Sequence, residues 1–284
     1  MRKKGGLMPE TVAGHKGREL AAFFGLTFLW TWGLWIAAAL SRADVTATTW
    51  AIAYHLGGWG PSAAGVFLLY RTSKDRVERR SFWRRVVDVR RISAAWYLVI
   101  LLLIPALAFA SVFVDALIAG TAPEFLMLRD IAANPLLLVV LVVLGLLLGP
   151  ISEELGWRGF ALDRLQARWG ALAASLFLGI AWALWHLPLF FMRGTSQYAQ
   201  GLGSRFFWVF LAIGVPLSVL MTWAYNRNSR SILSAILLHW AMNLSLNLVY
   251  PISDRALFYY LVLLSILAAG LVLFVGRREP ETSP

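Results

Sequence analysis

Polar residues that could do acid–base chemistry are concentrated in three short stretches of an otherwise apolar chain. The stretches are "EELGWR" at residues 153–158, "WALWHLPLF" at residues 182–190 and "HWAMN" at residues 239–243. Together they supply two glutamates, an arginine, two histidines and an asparagine. Ionisable groups inside apolar spans are costly and are therefore default candidates for function. The chain has no cysteine, so thiolate nucleophiles, thiolate metal ligands and disulfides are excluded.

Helical spacing separates the roles of the two glutamates. Glu154 and Arg158 are four residues apart, so they share a helix face and can form an ion pair. Glu153 projects about 100° away around the helix and escapes that pair. The pattern predicts that the Glu154 carboxylate is neutralised by Arg158, whereas the neighbouring Glu153 carboxylate stays available for chemistry. We interpret Ser152, directly before them, as a helix-packing or backbone-bonding residue.

The histidines lie on two further segments. Trp182 precedes His186 by one helical turn, and His239 shares a helix face with Asn243. Glu153 and His186 lie at nearly equal chain distances on either side of Trp169. In an antiparallel pair that bends there, their side chains are nearly level, with the charged segment around the bend projecting as a cytosolic hairpin. The sequence therefore predicts that these groups meet in the cytosolic half of a membrane.

Such a cluster suits several chemistries. In a hydrolase, a carboxylate takes a proton from water, and a histidine or the Asn243 amide donates to the oxyanion. Alternatively, a divalent metal such as zinc could be bound, with Glu153, His186 and His239 as candidate ligands. The same residues could relay protons in a transporter or join helices in a non-catalytic scaffold. Spacing alone leaves these alternatives open.

Composition identifies the elements that must position these residues. The 284 residues are 59% hydrophobic and only 14% charged, against roughly a quarter charged in soluble domains. Windows of about 20 nearly uncharged residues recur, each long enough to cross a bilayer as a helix. The fold class predicted is an all-α, polytopic membrane helix bundle. About eight transmembrane helices are expected, at residues 20–40, 48–70, 95–119, 134–157, 172–192, 206–226, 231–250 and 256–276.

Charge supports this layout. Most of the 26 Lys and Arg residues fall in alternate loops, which predicts that both termini are cytosolic. Basic cytosolic loops also explain the net charge of +11 without nucleic acid. We predict a multi-pass protein of the cell membrane, in contact with membrane lipids. Its parts are a cytosolic tail at 1–19, one transmembrane domain at 20–276 with the motifs in 145–250, and a second tail at 277–284.

Three further features carry structural expectations. The basic segment 71–91 contains interspersed Val, Phe and Trp, which fits either a helix on anionic headgroups or a loop that only sets topology. Pro150 and Pro188 should kink the helices beside the ionisable groups. His55 is expected to be a buried structural imidazole, and Asp115 to reach water near the end of its span.

The three motifs, in this order and on separate spans, resemble those of the CPBP intramembrane proteases. "EELGWRG" is similar to EExxxR, "WALWHLPLF" to FxxxH and "HWAMN" to HxxxN/D. This family includes the type II CAAX prenyl endopeptidases, bacteriocin-processing and immunity proteins, and abortive-infection proteins. The resemblance covers about residues 145–250. One residue departs from the pattern: Trp182 stands where the family usually has Phe.

The resemblance implies an intramembrane endopeptidase that opens to the cytosol and the lipid. Glu153 would activate water, and His186 and His239 would complete the catalytic centre, with Asn243 and a histidine supporting the oxyanion. Glu154 and Arg158 would hold the motif in place. The implied partner is a peptide or membrane-anchored protein, such as a CAAX-like prenylated or bacteriocin-type substrate. Trp182 would alter the pocket's shape rather than its chemistry, and the resemblance leaves a zinc site and a purely protein site equally open.

Overall fold

The protein is a bundle of helices. The computed structural model describes residues 9–45 and 49–274, and within these ranges there is no β-strand. The all-α prediction is confirmed. The predicted tail residues 1–8 and 277–284, and the predicted end of the last span at 275–276, lie outside the described residues. The α-helices are α1 Pro9–Leu40, α2 Trp50–Gly58, α3 Gly60–Thr72, α4 Arg76–Val87, α5 Ala94–Ala119, α6 Leu126–Ala133, α7 Leu136–Leu146, α8 Ser152–Gly156, α9 Leu162–Trp185, α10 Ser196–Gln200, α11 Arg205–Arg227, α12 Ile232–Leu248 and α13 Asp254–Phe274.

Five helical stretches in the described chain are long and apolar enough to cross a membrane. One of them, Leu136–Phe191, contains two of the predicted spans, and α12 is a shorter apolar helix. The predicted second span is divided into α2 and α3, which meet at Trp59. A multi-pass membrane protein is thus confirmed, whereas the count of eight spans and the cytosolic termini stay predictions.

The helical backbone is interrupted at Gly170, between the fourth and fifth predicted spans. This residue has φ 76° and ψ 171°, a backbone conformation that favours glycine, and it divides α9 into two helical pieces. The break is one residue beyond the predicted bend at Trp169. The charged segment before it, predicted to project as a hairpin, is helical up to Gly170, and two of its side chains form ion pairs: Arg164 with Glu19 at 2.7 Å and Asp163 with Arg85 at 2.7 Å.

Small residues let the helices that carry the glutamates and histidines approach their neighbours. A Cβ on Gly156 of α8 would overlap the carbonyl group of Pro61 in α3, and one on Gly65 would lie 2.8 Å from the Gly156 Cα. On α9, a Cβ on Gly179 would lie 2.7 Å from the Gly214 carbonyl oxygen of α11. These close approaches hold α8 and α9 at fixed depths in the bundle.

Two polar residues outside the motifs, His55 and Asp115, have different surroundings in the structure. His55 is exposed on α2 and touches only the Tyr54 ring edge-on, at 4.9 Å, among the described aromatic contacts. The prediction of a buried imidazole is therefore wrong, because the side of α2 that packs inward is the one carrying Gly57. Asp115, near the end of α5, accepts hydrogen bonds from Arg255 at 2.5 Å and Ser253 at 2.6 Å.

Candidate active site

The two glutamates share a single helical turn, α8, between two π-helical segments. These segments are Leu147–Ile151 and Trp157–Ala161. A π-helical turn changes the direction of the side chains that follow it, and such turns are frequent at functional sites. The first contains Pro150, so the predicted distortion at this proline takes the form of a π-helix. Ser152 donates to the Gly149 carbonyl at 2.8 Å, which confirms the backbone-bonding interpretation.

Glu154 links an arginine to a histidine. Arg158 Nη1 lies 3.0 Å from each Glu154 carboxylate oxygen, and both side chains are fully buried, which confirms the predicted i, i+4 pair. The His239 Nδ1 lies 2.9 Å from Glu154 Oε1. Because a carboxylate only accepts, Nδ1 carries the hydrogen of this bond. Glu154 therefore fixes the orientation of His239, a contact that the spacing of the motifs did not predict.

Arg158 is held by two other elements. Its Nη2 lies 3.4 Å from Ser218 Oγ on α11, and its guanidinium lies 5.2 Å from the centre of the Trp182 ring. Its Nε is buried without an acceptor in the described part of the chain. A buried ion pair costs desolvation and is retained where its geometry matters. Here it fixes the carboxylate that orients His239.

Glu153 points away from this pair, as predicted, and meets Trp182. The indole Nε1 of Trp182 donates to Glu153 Oε2 at 2.6 Å. Glu153 is 6% exposed. Since Nε1 engages one carboxylate oxygen, the other stays available for a water molecule. The tryptophan that departs from the family pattern thus changes more than the shape of the pocket, because phenylalanine has no donor at this place.

His186 directly follows α9, between Trp185 and the 3-10 turn Leu187–Phe191 that contains Pro188. Its Nδ1 lies 2.8 Å from the Trp182 carbonyl oxygen, so Nδ1 carries the hydrogen here as well. The Trp182 ring lies 5.8 Å from the His186 ring and 5.1 Å from the His239 ring. Trp182 therefore contacts Glu153 and both imidazoles, and it forms the centre of the cluster.

Asn243 lies one turn after His239 on α12 and reaches the segment that precedes the glutamates. Its Nδ2 would be 2.9 Å from a Cβ on Gly149, so the glycine leaves room for the amide. The structure thus brings six of the seven motif residues together around Trp182 and Glu154, and it places Asn243 beside Gly149, three residues before Ser152. Their catalytic roles stay a proposal.

Three nearby residues were missed by sequence reasoning. Ser218 supports Arg158, and Ser62 donates to the Ile151 carbonyl at 2.9 Å. Tyr54, on α2, has its phenol within electrostatic range of Glu153. Serine and tyrosine are common in apolar helices, and none of the three has a motif spacing. Their proximity arises from helix packing over long chain separations.

The metal-ligand hypothesis can be compared with the geometry. In the described part of the chain, no three His, Asp or Glu side chains lie close enough together to hold a metal ion. The arrangement around Glu153, His186 and His239 therefore does not match a zinc ligand set. Zinc at this site stays a prediction.

The fold and the site together define a class of protein: a multi-pass helical membrane protein with a buried carboxylate–imidazole cluster shared by three helices. Residues 135–245 match the family profile "type II CAAX prenyl endopeptidase Rce1-like". A CAAX prenyl protease 2 of Methanococcus maripaludis is 30% identical over 255 residues, which are 89% of this chain and 92% of that protein. The chain belongs to this CAAX prenyl protease family, so the resemblance is confirmed and the protein is assigned as an intramembrane protease.

Proposed function

We propose that the protein is an endopeptidase that cleaves a membrane-anchored, prenylated protein near a CAAX-like sequence, with Glu153 activating water. The observation that carries this proposal is the convergence of Glu153, His186 and His239 on Trp182. Membership of the CAAX prenyl protease family, and the relative that is itself named a CAAX prenyl protease, support the substrate class. No observation favours the transporter or scaffold alternatives.

In the proposed mechanism, the free oxygen of Glu153 accepts a proton from a water molecule as that water attacks the scissile carbonyl. His186, whose Nδ1 hydrogen is bound to a backbone carbonyl, presents Nε2 as a second acceptor that orients the water. Glu153 then passes the proton to the leaving amine. A positioned general base contributes typically about 10²–10⁴-fold in rate.

His239 and Asn243 stabilise the oxyanion that forms on the scissile carbonyl. His239 Nε2–H and the Asn243 amide donate to it, and Glu154 stabilises the positive charge on His239 through the 2.9 Å bond to Nδ1. Arg158 holds the Glu154 carboxylate in place. Each oxyanion donor is worth roughly 10²–10³ in kcat. Burial of the site excludes bulk water that would compete for these donors.

The experiment uses purified protein in liposomes and a matched pair of peptides, one prenylated at a CAAX cysteine and one not. We expect mass spectrometry to find a cleaved bond in the prenylated peptide only, and none after Glu153→Ala, His186→Ala or His239→Ala. Unchanged cleavage by any of these variants, with normal folding, would show that the assignment of roles is wrong. Equal cleavage of both peptides would show that the enzyme does not recognise the prenyl group.

Metal content is measured on the same purified protein. Elemental analysis before and after dialysis against a chelator, together with activity, tests the zinc hypothesis. If the protein holds stoichiometric zinc and loses activity when the zinc is removed, the proposal that Glu153 activates water without a metal is wrong. Activity that persists without bound metal supports the proposed step.

A further inference from the structure

The outer face of helix α4 combines unpaired arginines with exposed apolar side chains. Arg76, Arg80 and Arg84 recur every four residues and so lie on one stripe, with Trp83 and Val87 beside them. Trp83 is 37% and Val87 68% exposed. In the part of the chain that the structure describes, none of the three guanidinium groups has a hydrogen bond or ion pair. The stripe therefore presents positive charge that the protein itself does not neutralise.

The opposite face of α4 is fixed to the bundle. Phe82 is 2% exposed and packs so closely on the second π-helical segment that a Cβ on Gly159 would lie 2.8 Å from its ring. Arg85 Nη1 donates to Asp163 at 2.7 Å and to the Tyr225 hydroxyl at 2.5 Å. These contacts set the rotation of the helix, so the arginine stripe faces away from the protein.

The stripe is continuous with an exposed aromatic surface on α3. Trp83 Nε1 donates to the Tyr70 hydroxyl at 3.1 Å, and the Arg79 guanidinium lies 4.8 Å from the centre of the Tyr70 ring. On α3, Tyr70 is 48% and Phe67 58% exposed. Trp and Tyr side chains collect where a span reaches the lipid headgroups. Tyr70 lies two residues before the last residue of α3, and its contact with Trp83 joins these exposed aromatic side chains to the outer face of α4. This surface has the composition that the headgroup boundary favours.

We propose that the outer face of α4, formed by Arg76, Arg80, Trp83, Arg84 and Val87, binds the anionic headgroups of the membrane surface. Guanidinium groups make charge-assisted bonds to phosphate, and Trp83 and Val87 can enter the adjacent apolar boundary. A juxtamembrane cluster of this kind is attracted by the negative potential of anionic lipid. The alternative is a basic segment that stays in water and only sets topology.

The test uses a spin label, because a chain without cysteine accepts a single engineered one. Val87→Cys reports on the outer face, and Glu78→Cys, which lines the crevice between α4 and the bundle, is the matched control. The protein is reconstituted in phosphatidylcholine vesicles with or without phosphatidylglycerol. We expect the label at 87 to become several-fold more accessible to oxygen than to a water-soluble nickel chelate when phosphatidylglycerol is present. The label at 78 stays accessible to the chelate in both vesicles.

Charge is then removed in the Val87→Cys background. Replacing Arg76, Arg80 and Arg84 by Gln should abolish the response to phosphatidylglycerol. The same change at Arg42, Arg129 and Arg205, which are exposed after α1, on α6 and at the start of α11, should leave it intact. A label at 87 that is as water-accessible as the one at 78, or whose depth does not depend on phosphatidylglycerol or on the three arginines, would overturn the proposal.

Discussion

The bond between Trp182 and Glu153 can be tested with one substitution, Trp182→Phe. This change removes the 2.6 Å indole donor while keeping an aromatic ring beside both histidines. A hydrogen bond to a charged group is worth about 1.5–3 kcal/mol. If that orienting energy is expressed in the transition state, kcat falls by roughly 10- to 150-fold, since each 1.36 kcal/mol is tenfold in rate. KM should change little, because Trp182 is 3% exposed and has no need to contact the substrate's anchor.

Trp185→Phe is the matched control for this prediction. Trp185 lies on the same helix, is 1% exposed and also touches the His186 ring, but its indole N–H has no acceptor in the described part of the chain. Both variants lose a similar volume from the interior, so both should be less stable. Only Trp182→Phe should lower kcat in the liposome assay with a prenylated peptide. Equal kcat values for the two variants would refute the argument that the hydrogen bond positions Glu153.

Three further substitutions test the packing and the oxyanion site. Arg158→Met leaves the Glu154 carboxylate buried without its partner and should lower the stability to thermal unfolding by about 3–5 kcal/mol. Gly156→Ala forces a methyl group into the backbone of α3 and should cost about 1–3 kcal/mol, whereas Gly145→Ala meets nothing within 4 Å and should be neutral or stabilising. Asn243→Ala should reduce kcat by roughly 10²–10³ without loss of stability.

Each of these predictions has a contradicting result. The double change Glu154→Gln with Arg158→Met should recover much of the stability lost in Arg158→Met. If it recovers none, the loss does not come from an unpaired Glu154 carboxylate. Similar melting temperatures for the two glycine variants would contradict the close approach of α8 to α3. For the oxyanion site the control is Asn247→Ala, one turn further along α12, where the side chain is exposed and donates to the Asn243 carbonyl at 2.8 Å. A similar loss of kcat in both asparagine variants would remove Asn243 from the proposed site.

Local spacing was a sound guide to the parts of the site that one helix determines. The i, i+4 pair of Glu154 and Arg158 and the separate direction of Glu153 follow from the geometry of a single helix, and both are confirmed. The apolar windows also located the long helices, because hydrophobic length is a direct requirement of the bilayer. The bend predicted near Trp169 corresponds to the break in the helical backbone at Gly170, one residue further on.

Contacts between side chains on different helices could not be predicted from the sequence. The hydrogen bonds that His239 donates to Glu154 and that Trp182 donates to Glu153 depend on how α8, α9 and α12 rotate against one another. That rotation is set by the two π-helical segments around α8, whose phase shift no periodicity in the sequence shows. For the same reason His55 was assigned to the interior, although the packing of α2 leaves it exposed.

The account depends most directly on Glu153 as the base that activates water. Glu153→Gln keeps an oxygen that can accept the Trp182 hydrogen bond but removes the ability to take a proton, so the site should fold unchanged. We predict that cleavage of a prenylated CAAX peptide by this variant in liposomes falls by about 10²–10⁴-fold relative to the unmodified protein. Cleavage of the same bond at an undiminished rate would contradict the account.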